Sequence, residues 1–166
     1  MIKAPPIPSI DLSTLKEYQT AAQQAGGGHL YELWHHAVNI LTPDLAIAVT
    51  KLFLPEFVRI YDCVFHCSGL TIRSLEYYYH HWRSHFGSNR SAIERVLNFT
   101  NFRDLAPFFD ELSQMNQLYF LSCIAETWDY RLHKLFYPET FVVEIFQDDE
   151  EECEGDWVLT FYHRSE

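Results

Sequence analysis

The sequence predicts an α+β fold in which N-terminal helices pack on an antiparallel sheet formed mainly by the C-terminal third. Three observations carry this. Helical periodicity with start and stop signals recurs between residues 12 and 115. β-Branched and aromatic runs dominate after Gln117. The chain then closes on two apolar runs, Thr140–Gln147 and Trp157–Arg164, which flank a short acidic loop and read as a β-hairpin.

Residues 1–10 hold three prolines and are expected to form an extended arm ahead of a single domain, 11–166. Thr14-Leu-Lys-Glu17 fits a capping box, so a helix is predicted over about 12–25 and is stopped by Gly26-Gly27-Gly28. No strand precedes those glycines and no Lys-Ser/Thr follows, so they read as a joint and not a phosphate loop. Leu30, Leu33, Trp34, Ala37 and Leu41 share one face of a helix over about 29–41. Thr42-Pro43 starts another, about 43–54, which Pro55 ends.

Residues 57–66 are β-branched and aromatic, and strand is favoured over a continued helix. Ile72, Leu75, Tyr79, Trp82 and Phe86 define a helix over 71–86, with Gly87 as its stop. Ser91-Ala-Ile-Glu94 reads as a second capping box opening a helix over 91–98, and Asp104 with Pro107 opens one over 104–115. Between 117 and 137 the signal is mixed. Two strands, 117–125 and 129–137, are favoured over one long helix. The hairpin 140–147/157–164 completes the sheet.

The chain has 166 residues and a net charge of −11. Phosphate backbones and anionic membrane surfaces repel such a chain, so neither nucleic acid nor membrane is an expected partner. Seven carboxylates stand between 148 and 156, whereas residues 1–147 carry 11 basic and 15 acidic groups, so the acidity belongs largely to the hairpin tip. With 13 Phe, 10 Tyr and 4 Trp, the chain holds more rings than one small core needs, and some are expected at a pocket or an interface. Four irregularly spaced cysteines, no leader-like apolar run and no membrane-spanning run predict reduced thiols in a cytoplasmic protein.

No diagnostic catalytic motif is present. His81 and His85 are i and i+4, the spacing that turns two imidazoles to one face for a divalent metal, but Trp82 stands where a zincin has Glu. Glu32, His35 and His36 read as a surface group, since no second Glu-x-x-His completes a di-iron set. Asp62, Cys63, His66 and Cys67 converge only if their segment is helical; on a strand they divide between two faces. The thiols in apolar runs read as buried and inert. Tyr77 and Tyr78 lie off the apolar stripe of helix 71–86 and mark a groove or interface. The tip is too short for a calcium loop.

The function expected is that of a non-enzymatic interaction or accessory module without a cofactor. Its partner is a basic protein or a second copy, met through Asp148, Asp149, Glu150, Glu151, Glu152, Glu154 and Asp156 with Tyr77 and Tyr78. A second reading is a small-ligand binder with an aromatic-lined pocket. The element order is compatible with the helix-and-curved-sheet cone of NTF2-like domains, although no motif of that family is present. A third is a metal-dependent enzyme using His81 and His85 with Glu76 or Asp62.

Overall fold

The computed structural model describes residues 1–5, 9, 11–24, 42–67, 69–101, 112–148 and 155–164. The C-terminal hairpin forms as its alternation requires. Strands β5 (Phe141–Gln147) and β6 (Trp157–His163) pair antiparallel, with Phe141 opposite His163 and Gln147 opposite Trp157. Asp148 donates its N–H to the Asp156 carbonyl at 2.9 Å, and Gly155, at φ +85°, donates back to the Asp148 carbonyl at 3.0 Å. The tip residues Asp149, Glu150, Glu151, Glu152 and Glu154 lie outside the described residues.

Two short strands widen this sheet. The start of the proline-rich arm, β1 (Ile2–Lys3), pairs parallel to β5 and anchors its amine on Asp129 at 2.8 Å. Strand β4 (Thr100–Asn101) pairs antiparallel to β6 at Leu159 and Val158, so the order is β1-β5-β6-β4. The fold class is therefore α+β with the sheet built on the terminal hairpin, though its first edge is parallel.

Two strand assignments need correction. Residues 57–66 are not one strand but a tight hairpin, β2 (Phe57–Ile60) and β3 (Cys63–His66), forming a separate sheet. Tyr61 turns it at φ +55°. Residues 117–137 are not strands: the long helix α5 (Gln114–Phe136) covers them. Its buried residues Leu121, Ile124, Ala125, Trp128 and Leu132 form a helical stripe, which outweighs the β preference of the rings between them.

The other helices start close to the expected places, with different caps. Asp11, not Thr14, caps a 3-10 turn (Leu12–Thr14) ahead of α1 (Lys16–Gln24). The Thr14 hydroxyl instead donates to the Asp11 carbonyl at 3.0 Å, so the first capping box is absent. Helix α2 (Pro43–Phe53) opens on Pro43. Helix α3 (Ile72–Phe86) is capped by Thr71 and stopped at Gly87, φ +61°; Leu75 and Tyr79 are buried, but Ile72 and Phe86 at the stripe's ends are exposed. Helix α4 (Arg90–Leu97) is capped by Asn89, which accepts the Ala92 N–H at 3.1 Å. The second capping box is thus absent as well, and Glu94 is free for another role. The helix expected over 29–41 and residues 104–111 of the one expected over 104–115 lie outside the described residues; residues 112–113 are not helical, and Gln114 and Met115 instead begin α5, capped by Ser113.

Packing explains why the small hairpin matters. Its strands are buried on two faces in alternation. Phe57 and Val64 join the α5 stripe and the inner residues Phe141, Val143, Ile145, Leu159 and Phe161 of the sheet. Ile60, Cys63 and Phe65 face the other way, onto Leu75 and Tyr79 of α3 and Ile93 of α4. The hairpin is therefore the layer between the helical pair α3–α4 and the sheet-backed helix α5.

Candidate functional site

Helix α4 puts two polar side chains, Glu94 and Asn98, one turn apart on a face that is otherwise buried. Both are almost fully enclosed, at 0% and 1% exposure. Their partners are the backbone edges of β3 and β6, which do not pair with each other. Glu94 accepts the Val64 N–H at 2.8 Å and the His163 N–H at 2.7 Å. Asn98 accepts the His66 N–H at 2.9 Å and donates to the carbonyls of Val64 at 2.9 Å and Phe161 at 3.1 Å. These side chains do the work of a missing strand, satisfying peptide groups that burial would otherwise penalise.

The clamp also orients a histidine. His163 follows Trp157, Leu159 and Phe161 on one side of β6, and its ring packs 4.1 Å from that of Phe141. Its Nδ1 lies 2.6 Å and 2.7 Å from the two Glu94 oxygens, which fixes the ring and turns Nε2 outward. There Nε2 meets Oε2 of Glu139 at 2.5 Å and the Arg90 guanidinium. Arg90 Nη2 donates to the same Glu139 oxygen at 2.8 Å, and its Nε lies 3.5 Å from Glu94. From the β2–β3 hairpin, Arg59 donates to Glu139 Oε1 while its guanidinium covers the Phe136 ring at 5.2 Å.

Three groups from three separate elements therefore converge on one carboxylate. Burial opposes ionisation of Glu139, but the hydrogen bonds from Arg59, Arg90 and His163 outweigh it and bring the carboxyl down to about 2. The Glu139 side chain is 31% exposed. It opens onto a cleft of about 500 Å³ lined by Ser88, Asn89, Arg90, Ser91, Thr140, His163 and Arg164. The Ser91 hydroxyl donates to the His163 carbonyl at 2.6 Å. A carboxylate–imidazole pair of this kind can position a base, but here the outward nitrogen is already engaged with the Glu139 carboxylate. The arrangement as it stands holds one carboxylate, that of Glu139.

The residues singled out by sequence fall elsewhere. His81 and His85 are brought together on α3, with ring centroids 4.8 Å apart and Trp82 packed against both. His85 Nδ1 lies 2.9 Å from the His81 carbonyl, and both side chains are exposed. Among the described residues no group of three His, Cys, Asp or Glu is placed to hold a metal ion. Tyr77 and Tyr78 stack edge to face on the outer side of α3, 70% and 41% exposed. Glu32, His35 and His36 lie outside the described residues.

The cluster of Asp62, Cys63, His66 and Cys67 is split. Asp62 sits in the β2–β3 turn and accepts from the Tyr79 hydroxyl at 2.8 Å, with Arg83 3.6 Å away. Burial raises its pKa, but the Tyr79 bond and Arg83 outweigh this and the net shift is downward. Cys63 is fully enclosed; burial, then the charges of Glu94 and Asp62, pushes its thiol up to about 12. Cys63, Cys67 and Cys123 are free.

Sequence reasoning missed Arg59, Arg90, Glu94, Asn98, Glu139 and His163. Two signals were present. His163 continues the inward register of β6, and Glu94 and Asn98 adjoin the apolar Ile93 and Leu97 of a short helix. The chain matches no protein-family model, no curated protein and no solved structure. No described helix is long and apolar enough to cross a membrane.

Proposed function

We propose that the protein is a binding module that takes up the carboxylate or phosphate group of a small ligand at the cleft beside His163. One observation supports this: Arg59, Arg90 and His163 converge on a single carboxylate that borders a cleft. Guanidinium groups recognise planar oxyanions with directed, charge-assisted hydrogen bonds. In this reading Glu139 fills the place of the ligand's acidic group, an internal stand-in carried on the short connection between α5 and β5. Arg164 is exposed at the rim and supplies a further cation. The net charge of −11 works against long polyanions, so the ligand is a small molecule gripped locally and not a nucleic acid. The free thiols suit a reducing compartment, and we place the protein in the cytoplasm.

Titration with inorganic phosphate and with acetate, read as a shift in Tm at constant ionic strength, tests the proposal. Saturable stabilisation beyond that of chloride is expected. Arg164→Ala should weaken it about fivefold, the ~1 kcal/mol of an exposed charge contact. A response equal to that of chloride would refute the oxyanion reading.

The exposure of Tyr77 and Tyr78 favours a second reading, contact with a basic protein or a second copy through the aromatic face of α3 and the acidic tip. Paired Tyr77→Ser and Tyr78→Ser changes should then weaken a partner whose affinity also falls with salt. A complex unaffected by either change would rule that face out.

A further inference from the structure

His66, at the end of β3, is a second polar group without an obvious task. Its ring lies between Trp128 and Phe57, with centroids at 4.7 Å and 6.1 Å. The residue is 8% exposed, yet only its backbone N–H is hydrogen-bonded, by Asn98; neither ring nitrogen has a partner among the described residues. Burial pushes its pKa down to about 4, so the ring is neutral near pH 7, with one donor and one acceptor unused.

The ring does not face a packed wall. It lines a recess of about 320 Å³ bounded by Lys51, Leu52 and Pro55 at the end of α2, by Glu56 and Cys67, and by Trp128. That volume is about ten times the ~30 Å³ of a liquid water and lies at the lower end of small-molecule sites. Leu52, Pro55 and Trp128 make its walls apolar, while Lys51 and Glu56 set opposite charges at its border. A metal is not the natural occupant. Cys67 follows His66 directly along an extended segment and so points to the opposite side, and no third ligand stands nearby among the described residues.

We infer that this recess binds a small uncharged aromatic molecule carrying one O–H or N–H group, which hydrogen-bonds to the His66 ring while its apolar body lies against the half-buried Leu52. The site shares no lining residue with the cleft beside His163, and it stands or falls independently of the oxyanion reading.

Phenol and toluene, alike in shape and differing by one hydroxyl, are the probes. In isotope-labelled full-length protein, phenol should shift the His66 ring resonances saturably and bind about tenfold more tightly than toluene, the ~1.4 kcal/mol of one buried hydrogen bond. His66→Phe keeps a ring against Trp128 and should abolish that preference while leaving toluene affinity within about twofold. Equal affinities in the wild type, or His66 signals unmoved at about 20 mM phenol, would overturn the inference. So would a His66→Phe protein that still prefers phenol. If that variant does not fold, the wild-type ring resonances decide the question by themselves.

Discussion

Replacing Glu94 by Gln exchanges one carboxylate oxygen for NH2 in the middle of the clamp and tests whether α4 holds the two sheets together. Oε1 accepts from Val64 and Oε2 from the His163 backbone, at 2.8 Å and 2.7 Å, and both oxygens face His163 Nδ1. An amide can offer an oxygen to only one of the two backbone donors. Its NH2 group must point at the other, whichever way it is turned. One hydrogen bond to a charged acceptor is lost, about 1.5–3 kcal/mol, and a buried N–H is left facing another donor. The sum is roughly 3–4 kcal/mol, a large part of the ~5–15 kcal/mol that keeps a domain folded. In urea, with a slope of about 2 kcal/mol/M, the midpoint should fall by about 1.5–2 M at unchanged slope. Amide exchange at Val64 and His163 should accelerate more than at Leu159, whose N–H is not held by Glu94. Glu139→Gln, at a partly exposed carboxylate, should cost clearly less. A Glu94→Gln protein within about 1 kcal/mol of wild type would refute the clamp.

Asn98→Ala removes the partners of His66 N–H and of the Val64 and Phe161 carbonyls, and should cost roughly 2–4 kcal/mol by denaturant titration. His66 is neutral in the fold with a pKa near 4 against an ordinary 6.5, so the unfolded chain takes up its proton first. Stability should therefore fall as pH drops from about 6.5 to 4, by roughly 3 kcal/mol, and His66→Phe should flatten that slope. The depressed carboxyl of Glu139 adds stability above its ordinary 4.5 that is lost as pH falls from there towards about 2. Glu139→Gln should remove only this more acidic limb of the Tm profile. Native Cys63 should resist thiol reagents at pH 8 while half-buried Cys67 and Cys123 react, as mass spectrometry of alkylated peptides would show.

The elements that could be read from sequence are those whose local signal agrees with their packing. The terminal hairpin alternates and pairs as expected, the step pattern of 71–86 and its Gly87 stop yield α3, and Thr42-Pro43 opens α2. Residues 117–137 misled because Tyr119, Phe120, Trp128 and Tyr130 favour strands locally. Their burial pattern, with Trp128 enclosed and Tyr130 exposed, is that of a helix laid on a sheet. Glu94 misled for a related reason: its spacing from Ser91 mimics a cap, and Asn89 takes that role instead. The groups around Glu139 were the least legible. Arg59, Arg90, Glu139 and His163 come from a hairpin, a helix, a connection and a strand. The packing of α4 on β6 brings Arg90 and His163 to Glu139, and the β2–β3 layer adds Arg59.

The most direct measurement is chemical rescue of Glu139→Ala by formate. Removing the side chain takes from Arg59 its carboxylate and leaves Arg90 and His163 only Glu94, and Tm should fall. If these groups form an oxyanion site, formate should restore the lost stability saturably, with millimolar affinity, and chloride at equal ionic strength should not. A Glu139→Ala protein that responds identically to formate and chloride would contradict the account.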